Sequence, residues 1–198
     1  MAQPDTVSFE LSVLTVGSDA KQASADNAKR VQSILDQLKP ALPADAKVET
    51  KGYSIQPSRK FPDNGSGPGK ITGYTVQNRI GVEMKDLERL GAVLELVTDS
   101  GADEINWVRF ELSDAKEPTG EALKQAVERA RNSADSIADA LGMSVSSIVS
   151  VEEQGSAPPR PMMMMAQSRM EKAGGGAPPI EVGEVEIRAQ VTLEVEIE

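Results

Sequence analysis

From Val7 the chain alternates, with Val7, Phe9, Leu11 and Val13 apolar and Ser8, Glu10 and Ser12 polar between them. This is the period-two signature of a strand with one face in a core and one in water. The period then lengthens. Ala20, Ala23, Asn27, Val31, Ile34, Leu35 and Leu38 return at three- and four-residue spacing, which predicts an amphipathic helix with Ser18 or Asp19 as N-cap and Pro40 as its stop. Residues 46–56 predict a second strand, interrupted at Gly52 and closed by Pro57. A loop rich in Gly and Pro over 58–70 separates it from a third strand carrying Tyr74, Val76, Ile80, Val82 and Met84, so the two form a long hairpin.

Asp86 opens a short helix on Leu87, Leu90, Leu94 and Val97, with Gly101 placed to end it. The strand over 104–112 has Ile105, Trp107, Val108 and Phe110 on both parities, as expected for burial on both faces. Asp114 and Glu117 resemble a capping box, with Pro118 tolerated in the first turn of the longest helix. The stripe of that helix is Leu123, Ala126, Val127, Ala130, Ala134, Ile137, Ala138 and Leu141, and Gly142 ends it. Its alanines imply close approach to a neighbour. Residues 145–152 predict another strand, 155–179 a loop or arm of Pro, Gly and Met, and 180–198 a long alternating strand able to serve two sheets or two subunits. The order strand, helix, strand, strand, helix, strand, helix, strand, strand gives an α+β class, with largely antiparallel sheets and three amphipathic helices packed on them. Strand-helix-strand units echo weakly, without a repeat period. Residues 1–198 read as a single domain of two intimately joined α/β subdomains, 5–84 and 85–198.

Composition narrows the chemistry. The 198 residues include no Cys and no His, which excludes disulfides, thiol nucleophiles, Cys/His zinc sites and histidine general bases. Acidic residues (31) exceed basic ones (21) for a net charge of -10, and aromatics are 3%, so a nucleic-acid partner is not expected. No apolar run approaches the roughly 18 residues of a transmembrane helix. The start, Met1-Ala2-Gln3-Pro4-Asp5, has none of the regions of a signal peptide.

Five features invite a functional reading. Gly65-Ser66-Gly67-Pro68-Gly69-Lys70 imitates a phosphate loop but lacks the required spacing and is followed by a strand, so a hairpin loop is expected. Met162, Met163, Met164 and Met165, framed by Pro161, are soft and polarisable. They fit an oligomer or partner interface; the alternatives are a disordered loop, or an envelope small-molecule or metal-ion (Cu(I)) binding module using the Met arm. Acidic pairs at Asp103-Glu104 and Glu152-Glu153 read as solvated charge rather than paired catalytic acids. Trp107 reads as core rather than as a ligand platform, and Arg109 beside it is left undecided between core edge and interface. Glu, Lys and Arg along the long helix make an ordinary wet face. No nucleophile-base spacing emerges, so no catalytic residue, metal site or cofactor is expected.

Several phrases occur together in order: Ile71-Thr72-Gly73-Tyr74-Thr75, Asp86-Leu87-Glu88-Arg89-Leu90-Gly91, Gly101-Ala102, Phe110-Glu111-Leu112-Ser113-Asp114, Pro159-Arg160-Pro161-Met162-Met163 and Pro179-Ile180-Glu181-Val182-Gly183-Glu184. On these the chain, from about Pro4 onward, resembles the SIMPL-domain family, bacterial proteins of unknown function that include YggE-like and periplasmic immunogenic proteins. The resemblance implies export to the periplasm or cell envelope behind a cleaved signal, a mixed α/β fold and no established catalysis. It also implies homo-oligomeric assembly and a connection with stress tolerance. Family members usually carry a further strand before the Pro-Asp step, so Met1-Ala2 reads as a recombinant start from which that strand and the leader are missing.

Overall fold

In the computed structural model of the chain, which describes residues 1–61, 69–155, 160–161 and 182–198, the alternation at Val7 becomes β1 (Thr6–Gly17). The helix that follows is α1 (Ala20–Leu38), capped where the Asp19 carboxylate accepts the Gln22 N–H at 2.9 Å. Pro40 ends it through one 3-10 turn, Lys39–Ala41. The hairpin is β2 (Lys47–Lys60) and β3 (Lys70–Met84), paired antiparallel. Then come α2 (Leu90–Asp99) and β4 (Glu104–Glu111).

These elements, over residues 5–110, belong to one compact unit whose sheet order is β2-β3-β1-β4. A βαββαβ chain in that order is the split βαβ, ferredoxin-like arrangement, which gives the weak internal echo its physical basis. Odd residues of β1 face the helices, and Val7, Phe9, Leu11 and Val13 are all fully buried there. Ile34 and Leu38 from α1, Ile80, Val82 and Met84 from β3, and Leu90, Val93, Leu94 and Val97 from α2 complete the cluster. Each such side chain contributes roughly 1.5–3 kcal/mol on leaving water.

Three sequence expectations change here. Pro57 does not close β2, because β2 is an edge strand and a missing N–H on its open side breaks no ladder bond; Pro57 pairs with Tyr74 and the strand runs three residues further, to Lys60. Asp86 lies ahead of α2, with its carboxylate accepting the Arg89 N–H at 3.2 Å. β4 is the other edge, so it is not buried on both faces: Val108 and Phe110 pack against the core while Ile105 is exposed. Gly52 does mark an interruption, a register shift between Thr50 and Gly52. Gly101 ends α2 with φ +93, a conformation side-chain-bearing residues rarely adopt.

The second unit takes residues 1–4 and the described residues from 111 onward. It holds α3 (Lys116–Ala140), β5 (Val145–Gln154), β6 (Arg160–Pro161), β7 (Val185–Glu186) and β8 (Gln190–Ile197). The capping box is not formed: the N-cap is Ala115, without a side-chain cap, and the Asp114 carboxylate instead accepts the Lys116 N–H at 2.8 Å. Gly142, with φ +72, ends the helix. The long final strand is two strands in two sheets. β7 pairs with β6 and through Val185 with Ala2, whereas β8 pairs antiparallel with β5. Backbone bonds between Ser144 and Glu198 at 2.7 and 2.9 Å close the far end of that ladder.

Candidate functional site

Pro161 pairs with Val185 in the short β6–β7 ladder. Met162, Met163, Met164 and Met165 lie outside the described residues, as do Gly65, Ser66, Gly67 and Pro68 of the glycine-rich loop. Lys70, at the end of that loop, begins β3 rather than a helix. Asp103 is structural: one carboxylate oxygen accepts the Leu14 N–H at 2.6 Å and the other meets Arg30 at 3.1 Å. Arg30 also donates to the carbonyls of Gly101 and Leu14, tying α1 to the α2–β4 turn and β1. Glu152 and Glu153 sit in register with Thr192 and Val191 on β8. Trp107 is half-buried rather than enclosed in the core, with the Arg109 guanidinium stacked 4.5 Å from its ring centroid on an edge strand. Among the described residues no cluster of three or more acidic side chains is arranged to hold a metal ion.

The sheet of the first unit has a second face, opposite its helices. Glu10 and Ser12 point there from β1 and are nevertheless buried, at 7% and 0% exposure. Asn106 covers them, donating to Glu10 at 2.8 Å and to Ser12 at 2.9 Å, while Gln77 donates to Ser12 at 3.3 Å and Arg79 stands 3.9 Å from Glu10. Farther along, Lys47 bonds Glu83 at 2.7 Å and Lys51 bonds Glu49. Those hydrogen bonds raise both lysines and hold Glu49 below the usual carboxylate range. Each of these named side chains has a polar partner, so together they form a polar lid on the sheet.

The second unit is built differently. α3 packs mainly on β8 and only slightly on β5. The face that β5 shares with β8, where Ile148 meets Val195 and Val151 meets Leu193, is therefore half-covered. Ile148 and Val151 stay 53% and 56% exposed, Val149 60%, and Ile137 and Leu141 at the end of α3 61% and 62%. Ala138 is the sole buried residue of α3. The sequence reading placed Ile137 and Leu141 on an inward stripe. Helical spacing identifies an apolar face but not whether anything lies against it, so these residues were missed as surface.

Among proteins of known sequence or structure, the family model SIMPL, described as a protein of unknown function (DUF541), matches residues 1–195. The 26 kDa periplasmic immunogenic proteins of Brucella melitensis biotype 1 and of Brucella abortus strain S19 are each 29% identical over 201 residues, covering 99% of this chain and 80% of the relative. Solved structures are more distant. An amidase of the hydantoinase/carbamoylase family from Burkholderia phymatum matches with TM-score 0.37 and 12% identity, over 65% of this chain and 35% of that one. Aminopeptidase PepT from Bacillus cereus matches with TM-score 0.27 and 13% identity, over 64% and 35%. This chain thus spans about a third of those enzymes, at similarities that bear on neither fold nor chemistry.

Proposed function

The chain belongs to the SIMPL family, and from that premise we propose that it is an exported, non-catalytic protein of the periplasm or cell envelope that works by assembling with further copies of itself. The observation that carries this reading is the set of large apolar residues that the second unit leaves more than half exposed: Ile137, Leu141, Ile148, Val149 and Val151. A two-stranded sheet is at the margin of what is stable in water unless a third strand or a packed layer completes it, and α3 supplies that layer mainly over β8, leaving β5 largely without it. A second copy of the same unit supplies that layer with matching apolar chemistry. Register shifts between Val145 and Ser147 and between Ile148 and Ser150 break the regularity of β5. Face-to-face burial is therefore favoured over simple extension of its edge. Export rests on the name of the Brucella relatives. From composition and the framing Pro161 alone, Met162 to Met165 are proposed as an oligomer or partner interface.

Light scattering on the chromatographed chain tests the reading. A molar mass that is a multiple of 21.1 kDa is expected, falling toward one copy when Ile148 and Val151 are both replaced by Ser. Replacing Met162 to Met165 by Ser is expected to lower the mass at a given concentration. A single-copy mass for the unaltered chain at tens of micromolar overturns assembly as the function.

A further inference from the structure

The second unit also contains a cavity of about 500 Å³, walled by one side of α3, by Gln154 and Gly155 at the end of β5, and by the 186–190 link between β7 and β8. That volume lies within the range of small-molecule sites, about 300–1,000 Å³. Its lining includes small residues such as Ala126 and Ala189 and the carboxamides of Gln154 and Gln190. Two guanidinium groups line it. Arg188 is committed to Glu186 at 2.8 Å, so that pair adds no net charge. Arg129 has no hydrogen bond or ion pair with any described residue. No acid stands at helical spacing from it either: the positions three and four away are Ala126, Gln125, Asn132 and Ser133.

We propose that this cavity is a binding site for a small polar carboxylate, held by Arg129. One uncommitted cation in the wall of a cavity, on a chain of net charge -10, makes a local attraction for a single negative charge. A guanidinium presents two parallel N–H donors that match a carboxylate in bidentate fashion. The carboxamide of Gln190 and the carbonyl oxygen of Gln154, whose NH2 donates to Thr192 at 3.1 Å, complement an amide or hydroxyl next to the acid, and the small lining residues leave room for a short chain. Nothing in the site favours a large apolar or aromatic ligand.

Saturation-transfer NMR observes the ligand's own protons, so it reads equally well from a single copy or a large assembly. The probes are N-acetylglycine and its neutral counterpart N-acetylglycinamide, which differ only at the carboxylate. Saturable transfer to N-acetylglycine and none to the amide is the expected result. Arg129→Gln should weaken binding about tenfold or more, the scale of one charge-assisted pair. Lys124→Gln, an equal loss of charge on the same helix outside the cavity lining, should leave it unchanged. Transfer that does not saturate, equal transfer to the amide, or an Arg129→Gln variant that binds as before would each overturn the site.

Discussion

Within residues 5–110 the alternating apolar residues of β1 end fully buried, whereas in the second unit Ile148 and Val151 of β5, in register with the apolar residues of β8, remain more than half exposed. The sequence patterns are alike. What differs is the extent of each layer: four strands under two helices enclose their own core, while two strands under one helix leave a face open. A period-two pattern specifies which face is apolar and says nothing of what will cover it.

Substitutions in each unit sharpen that contrast. Phe9→Ala empties the most enclosed part of the first unit and should cost about 3–5 kcal/mol in urea unfolding. Asn27 is fully buried on α1 and donates to the Val13 carbonyl at 2.9 Å. Asn27→Ala leaves that carbonyl without its donor and should cost about 1–3 kcal/mol by the same measurement. Asp19→Ala removes the α1 cap and should cost about 1 kcal/mol. Ile148→Ser should change the unfolding free energy of a dilute single copy by no more than about 0.5 kcal/mol, as a surface substitution does. Its effect should appear instead as a lower mass in light scattering. If Ile148→Ser destabilises the dilute chain as Phe9→Ala does, the contrast between the units is false.

The smallest effect is of pH. Glu49 is held low by its hydrogen bond to Lys51, and Glu186 by its hydrogen bond to Arg188. A carboxyl depressed in the folded state contributes stability that is present above the ordinary Glu range, about 4.3, and is lost as pH falls through the lower folded value. Unfolding midpoints should therefore be flat from neutral pH down to the ordinary range and decline below it. The decline should be reduced in Glu49→Gln if that pair contributes, and unchanged if solvent and salt already screen it.

Much of the fold was legible because its signals are local. The helix over 20–38, a cap at Ser18 or Asp19 that proves to be Asp19, the terminating glycines Gly101 and Gly142 and the interruption at Gly52 all follow from residue chemistry within a turn or two. The elements that read differently depend on neighbours distant in sequence. β4 carries apolar residues on both parities and looks interior, yet it occupies an edge where Trp107 is shielded by Arg109. Pro57 is a strand breaker only in a central strand. The uniform alternation of 184–197 conceals a change of partner between β7 and β8, because pairing leaves no mark on a strand's own period. Arg129 was grouped with an ordinary wet helix face, and only the cavity beside it distinguishes it from the other helix charges.

Amide hydrogen exchange, measured residue by residue at low and at high protein concentration, tests the contrast between the units most directly. Amides of β1, β3 and α1 should be protected equally at both concentrations. Those of β5, β8 and the end of α3 should exchange quickly when dilute and gain protection as concentration rises. Protection in the second unit that matches the first and does not change with concentration would contradict the account.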